Sequence, residues 1–183
     1  VLAGVIINAF CAALMTFLVM QFEPLRMKAT SIWLAGGIGY FRWNNLALAA
    51  ALIGFGLIYT RLQAASLNAF TLGEEGAALV GVDATAVLYR STWVASILAG
   101  TAVSLGGLIG YVGLLVPHMV RLLAGRDFRN TIVLSAIGGA LMLLIGDTAA
   151  RVLLAPEEIP VGILAALIGT PLLLALLARE LRS

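Results

Sequence analysis

The chain has 183 residues, 62% of them hydrophobic and 11% charged, with a net charge of +2 and a mean hydropathy of +1.07. A water-soluble domain carries ~45–50% apolar and ~25% charged residues, so both values exclude one, and a chain this apolar cannot stay solvated and disordered. At ~20 residues per spanning helix the length holds roughly six crossings, and the apolar runs lack the alternation of a membrane β-barrel, so the sequence predicts an all-α polytopic bundle.

Val1–Met20 is the first apolar run, interrupted by Asn8 and Thr16. It begins without a basic flank or a small-residue cleavage site, so it does not read as a signal peptide, and the abrupt start predicts further helices upstream. Cys11 lies within this run as the single cysteine, which allows no intrachain disulfide and no cysteine metal cluster. Gln21-Phe22-Glu23-Pro24 ends the run. Thr30–Tyr40 is too short to span, and its glycines predict a short interfacial helix with Trp33, Tyr40 and Trp43 at headgroup depth. Asn45–Tyr59 is the second span.

Gln63–Thr85 is the longest polar stretch, and its apolar spacing predicts two short amphipathic helices broken near Gly73. Ala86–Leu105 is the third span. The glycine-dense stretch from Gly106 to Gly113 and the half-length helix Leu114–Leu123 together predict one broken crossing, with Pro117 and His118 near the helix start, where proline is comfortable. Thr131–Arg151 is the fifth span, with Ser135, Gly138, Gly139 and Ala140 placed for close helix packing. Ala155–Pro160 is a tight turn. Val161–Ala178 is the last span, with a kink predicted near Gly169-Thr170-Pro171.

If the first span runs outward, inside turns hold seven basic residues (Arg61, Arg90, Arg121, Arg126, Arg129, Arg179, Arg182) against four outside (Arg26, Lys28, Arg42, Arg151). The excess favours that orientation, with residues 63–85 in the cytoplasm. A charge of +2, scattered in this way, gives no nucleic-acid footprint.

The run Gly110-Tyr111-Val112-Gly113-Leu114-Leu115-Val116-Pro117-His118-Met119-Val120-Arg121, then Asp147-Thr148-Ala149-Ala150-Arg151, then Ile159-Pro160-Val161-Gly162 and Ile168-Gly169-Thr170-Pro171 resemble the FecCD-type permeases in order and spacing. These are the membrane subunits of ABC importers for iron–siderophore complexes, haem and vitamin B12. Leu67–Val82 resembles the cytoplasmic coupling segment of that family. The family pattern often has Phe at Tyr111, Leu near Val80 and a second basic residue near Ala78, so the sequence departs from it mildly.

The resemblance implies that residues 1–183 form a single permease domain matching the last six helices of a ten-helix subunit in a bacterial inner membrane. It also implies ATP-binding cassettes on the cytoplasmic side, a periplasmic substrate-binding protein and a second permease chain, identical or related. This chain would bind no cofactor, ATP being used by the cassette, and no G-x-x-x-x-G-K-[ST] sequence occurs in it.

Each candidate residue has a plainer reading beside the functional one. Leu67, Leu72, Gly73, Glu74, Glu75, Leu79 and Gly81 are expected to meet the cassette; otherwise they form a solvated turn whose acids complement a helix N-terminus. Asp147 and Arg151, four apart, suit an intrahelical ion pair, while the resemblance implies that Arg151 receives a carboxylate of the binding protein. Asn8 either lines the translocation path or bonds to a neighbouring helix. Gly110, Gly113, Pro117, His118 and Asp147 read as structural, and a lone His118 makes no metal site.

Two rival functions need features the sequence lacks. An intramembrane enzyme needs a nucleophile–base or metal constellation, and Ser96, Ser104, His118 and Asp147 form no recognised motif. An ion-coupled transporter needs an acid deep in a span, and Asp147 lies near an end.

Overall fold

The structure, a computed structural model, describes residues 2–21, 30–37, 39, 41–153 and 159–180. Helix accounts for every regular element among the described residues: α1 Leu2–Met20, α2 Trp43–Leu62, α3 Ala64–Phe70, α4 Gly73–Leu79, α5 Ala84–Gly106, α6 Val112–Ala124, α7 Phe128–Leu153 and α8 Val161–Glu180. The predicted spans fall on α1, α2, α5, α7 and α8, and the predicted pair of short helices on α3 and α4. By length and composition α2, α5 and α7 can each cross a membrane. Glu23, Pro24, Arg26, Lys28, Tyr40, the turn residues Ala155 to Glu158, Arg182 and the side chain of Arg179 lie outside the described residues.

The bundle is organised around α7, which packs most extensively on α6 and also meets α2, α3 and α8, while α2 pairs with α5. Small residues make these approaches. Ala49 and Gly56 on α2, Ala64 on α3, Ala77 on α4 and Ala150 on α7 are buried. A Cβ on Gly56 would stand 2.6 Å from Leu98 on α5, and one on Gly138 would stand 3.0 Å from Val116 on α6. The close packing expected of the fifth span is therefore found, with α6 seated over Gly138.

The largest fully buried side chain is Leu115, whereas Phe10, Phe55 and Ile145 are exposed. Large apolar groups outside and small ones at the contacts is the distribution a hydrocarbon solvent favours, because in lipid only packing and hydrogen bonds draw helices together. The described side chains of α1 are exposed apart from the half-buried Met15 and Val19.

The broken crossing is present but arranged differently from the expectation. Helix α5 continues through Gly106, the irregular stretch is only Gly107 to Tyr111, and α6 begins at Val112. Pro117 is thus internal to α6 instead of near its start, and His118 follows it in the middle of the helix. The helix starts early because the chain reverses at Gly107 (φ +68°) and Tyr111 (φ +67°), so that Tyr111 already offers its carbonyl to the amides of Leu114 and Leu115 at 3.1 and 2.8 Å. Pro117 has no N–H to return to the Gly113 carbonyl, and that turn carries one bond fewer. At thirteen residues α6 covers about 20 Å, less than a bilayer.

The segment before α2 also departs from expectation. Only residues 30–34 are helical, and the chain then enters the bundle in place of lying along an interface. Gly36, at φ +78°, sits where the end of α5 and the start of α8 meet. Gly37 donates its N–H to the Gly106 carbonyl at 3.0 Å, and Gly162 donates to the Gly36 carbonyl at 2.9 Å. A Cβ on Gly107 would run into the Trp33 carbonyl oxygen, and one on Gly162 into that of Ala35. Three backbones distant in sequence touch at this point, and the glycines are what let them.

Pro171 lies inside α8, and at Gly169 a Cβ would come within 2.8 Å of the Tyr111 Cβ. Gly169 therefore makes room for the one non-glycine residue held at positive φ among the described residues. Gly110 and Gly113 face open space, so neither is required by sterics.

Candidate functional site: a two-helix knob and its anchor

Between α2 and α5 the chain leaves the bundle as α3 and α4, joined through Thr71 and Leu72. The corner needs a left-handed residue, and Gly73 supplies it at φ +86°. Glycine also closes the second helix. Gly81, at φ +76°, donates to the Ala78 carbonyl at 3.0 Å, and Val82 donates to that of Ala77 at 2.9 Å. This pair of bonds is a Schellman cap, which satisfies carbonyls that a seven-residue helix would leave open. Asp83 then caps α5, its Oδ1 accepting from the Ala86 N–H at 3.1 Å. The knob thus has defined geometry at its corner and at its exit into α5, whereas Gln63 at its entry makes no side-chain cap.

Ala64 and Ala77 are buried at its base, and Leu67 is half-buried. Leu72 is 67% exposed and Leu79 is 89% exposed. Glu74 and Glu75 lie exposed in the first turn of α4, where their charge complements the free amides. Leu72, Gly73, Glu74, Glu75, Leu79 and Gly81 are therefore all exposed on this segment, two apolar groups and two carboxylates among them, while Leu67 is half-buried on α3.

The sequence reading missed the anchor. Asn68 on α3 donates from Nδ2 to Asp127 Oδ1 at 2.8 Å, and its Oδ1 accepts from the Phe128 N–H at 3.0 Å. Asp127 Oδ1 also accepts from the Arg129 N–H at 2.9 Å and so caps α7. The bonds from Asn68 and from the Arg129 amide hold the Asp127 carboxyl below its ordinary pKa against an opposing desolvation, with a lesser pull from the Arg129 charge. One side chain ties the knob to the first turn of the central helix. The only local signal was the acid just before a helical run, a cap pattern that says nothing of Asn68.

Beside this joint lies an open groove of about 470 Å³ lined by Thr71, His118, Arg121, Leu122, Arg126 and Phe128. His118 is half-buried on its wall. Among the described residues no group of three or more His, Cys, Asp or Glu side chains converges on a point.

Arg151 and Asp147 sit near the other end of α7. Arg151 Nε lies 2.7 Å from Asp147 Oδ2 and its Nη2 3.4 Å from Oδ1, with the side chains 40% and 23% exposed. The intrahelical pair is real, and it presents a partly exposed guanidinium at a helix C-terminus. Between Asp127 and Arg151 the helix rises roughly 36 Å, a little more than a hydrocarbon core. Asn8 is exposed on α1 and belongs to neither cluster.

Comparison with known proteins adds to this geometry. The sequence pattern of the FecCD transport family matches residues 1–179. The hemin transport system permease protein HmuU of Yersinia pestis is 40% identical over 98% of this chain and 54% of its own length. The vitamin B12 import system permease protein BtuC of Vibrio vulnificus is 36% identical over 98% and 54%, and the iron(3+)-hydroxamate import system permease protein FhuB of Bacillus subtilis 36% identical over 99% and 47%. The chain spans about half the length of these relatives. A solved structure of a metal-chelate type ABC transporter in an inward-facing conformation superposes with TM-score 0.89 at 28% identity, covering 97% of this chain and 58% of that one.

Proposed function

Given that the chain belongs to the FecCD transport family, we propose that it works as part of the membrane permease of an ATP-driven importer in a bacterial inner membrane. The observation that carries the reading is the knob of α3 and α4, capped at its exit into α5 and hydrogen-bonded through Asn68 to the start of α7. A rigid projection fixed to the central helix converts a push from outside the bilayer into a tilt within it. Leu72, Leu79, Glu74 and Glu75 form the face that a cassette's cleft would grip. ATP binding there must favour one arrangement of the spanning helices over the other, since a ligand shifts an equilibrium only by its differential affinity. Hydrolysis takes place in the cassette, and this chain supplies the lever and the path.

Ferric siderophore is the first-choice cargo, with haem and vitamin B12 as alternatives by the same mechanism. The names of relatives that match this sequence span hemin, vitamin B12 and ferric hydroxamate. At the far end of α7, Arg151 would receive a carboxylate of a periplasmic binding protein while Asp147 holds its orientation. Two permease chains, identical or related, would enclose the path.

Replacing Glu74 and Glu75 together by Ala should lower the cassette that co-purifies by about tenfold while membrane insertion is unchanged. Undiminished co-purification would remove the coupling role from this face. Arg151→Glu, which also sets two acids four residues apart, should weaken binding-protein affinity about five- to tenfold at low salt and less at high salt. An unaltered affinity would leave Arg151 with its intrahelical role alone. An ion-coupled carrier is disfavoured because Asp147 is engaged near a helix end.

A further inference from the structure

We propose that the groove between the knob and α6 is a binding site for the headgroup of an anionic phospholipid of the cytoplasmic leaflet. The inference rests on the reading above that this end of the bundle faces the cytoplasm. Its lining brings two guanidiniums, Arg121 and Arg126, together with His118 and the Thr71 hydroxyl, and no carboxylate is among the lining residues. The adjoining acid, Asp127, is already committed to Asn68 and the Arg129 amide. Arg121 spends only its Nε, on the Pro117 carbonyl at 3.3 Å, and Arg126 has no hydrogen bond or ion pair among the described residues.

Two guanidiniums whose Nη groups have no acceptor suit the oxygens of a phosphate, to which arginine bonds in forked pairs. About 470 Å³ is the size of a small-molecule site. The groove also has an apolar side. Leu122 lines it, and Leu122 and Leu123 are 64% and 84% exposed on the same helix. A cationic rim against bare leucines matches an amphiphile, charged at one end and hydrocarbon at the other. The sign of the charge separates this surface from the cassette-facing one. The knob offers Glu74 and Glu75, so a partner patch that fits it is basic, and a basic patch is repelled by Arg121 and Arg126. A lipid bound here would brace the flank of the lever at Thr71.

The test is native mass spectrometry of the full permease purified with its cassette, titrated with phosphatidylglycerol or phosphatidylcholine. Phosphatidylglycerol retention should fall about tenfold in Arg121→Gln with Arg126→Gln. It should also fall in Arg126→Glu alone, a change in an exposed turn that the fold tolerates. Arg129→Gln, which removes a neighbouring charge outside the groove, should retain it, and phosphatidylcholine should be held by none. Equal retention by wild type and both groove variants, or equal loss in Arg129→Gln, overturns the site. Displacement by glycerol phosphate as effective as by the lipid identifies a soluble-anion site and overturns the lipid assignment. Loss of the cassette from the groove variants with phosphatidylglycerol kept assigns the groove to the cassette and overturns it too. The Glu74 and Glu75 double variant should lose cassette and keep phosphatidylglycerol; if it keeps the cassette, the coupling reading fails and the lipid site stands.

Discussion

At Gly107 a single hydrogen atom decides whether two chain segments can cross. The residue is held at φ +68°, and a methyl in its place would meet the Trp33 carbonyl oxygen, which is backbone and cannot rotate away. Gly107→Ala should therefore cost about 2–4 kcal/mol, from left-handed strain and overpacking together, read as a lower melting temperature of the purified permease. Gly54→Ala on α2, where a Cβ meets nothing within 4 Å, should leave that temperature unchanged or slightly raise it. Equal losses at both positions would mean that the crossing is not the tight point. The sequence marked Gly36 and Gly107 as poor helix formers and nothing more. Their use depends on Trp33, Ala35 and Gly162, which are brought to them by the fold and not by spacing, so composition alone could not pair them. Arg151 and Asp147 were legible for the opposite reason, because an i, i+4 pair is complete within one helix.

Among the elements, the knob was legible in outline and its attachment was not. Apolar spacing and the glycines at 73 and 81 specify two short helices and a corner, all of them local features. The Asn68–Asp127 bond spans 59 residues of sequence. A lone polar residue between Leu67 and Phe70 gives no hint of its partner. Asn68→Ala should remove both bonds to the start of α7 and reduce cassette-driven uptake about fivefold without releasing the cassette. The acid behaviour of Asp127 gives an independent check. Its pKa is lowered in the folded protein, so its contribution is fully present above the ordinary carboxylate pKa and is lost as pH falls through the lowered value. In Asn68→Ala the Asp127 carboxyl, followed by carbon NMR, should titrate at a higher pH than in wild type. No change in its titration would mean that Asn68 does not hold it. Pro117 carries the complementary lesson. Its position three residues into the expected helix suggested a start at Leu114, but the start of α6 is set upstream by Tyr111, a residue whose positive φ its side chain does not advertise.

For the molecule as a whole, the apolar excess, the six-crossing length and the ordered motifs from Gly110 to Pro171 specified both bundle and family. Helix order follows from local periodicity, whereas the glycine junction and the groove depend on surfaces that exist only once the helices are packed. The proposed function requires one sidedness: the knob at the start of α7 faces the cytoplasm and Arg151, roughly 36 Å along the same helix, faces outward. The direct measurement is labelling by a membrane-impermeant maleimide in right-side-out spheroplasts, with Cys11 replaced by Ser and a single cysteine placed at Leu72 or at Arg151. Arg151→Cys should be labelled in intact spheroplasts and Leu72→Cys only after permeabilisation. Labelling of Leu72→Cys in intact spheroplasts would contradict that sidedness.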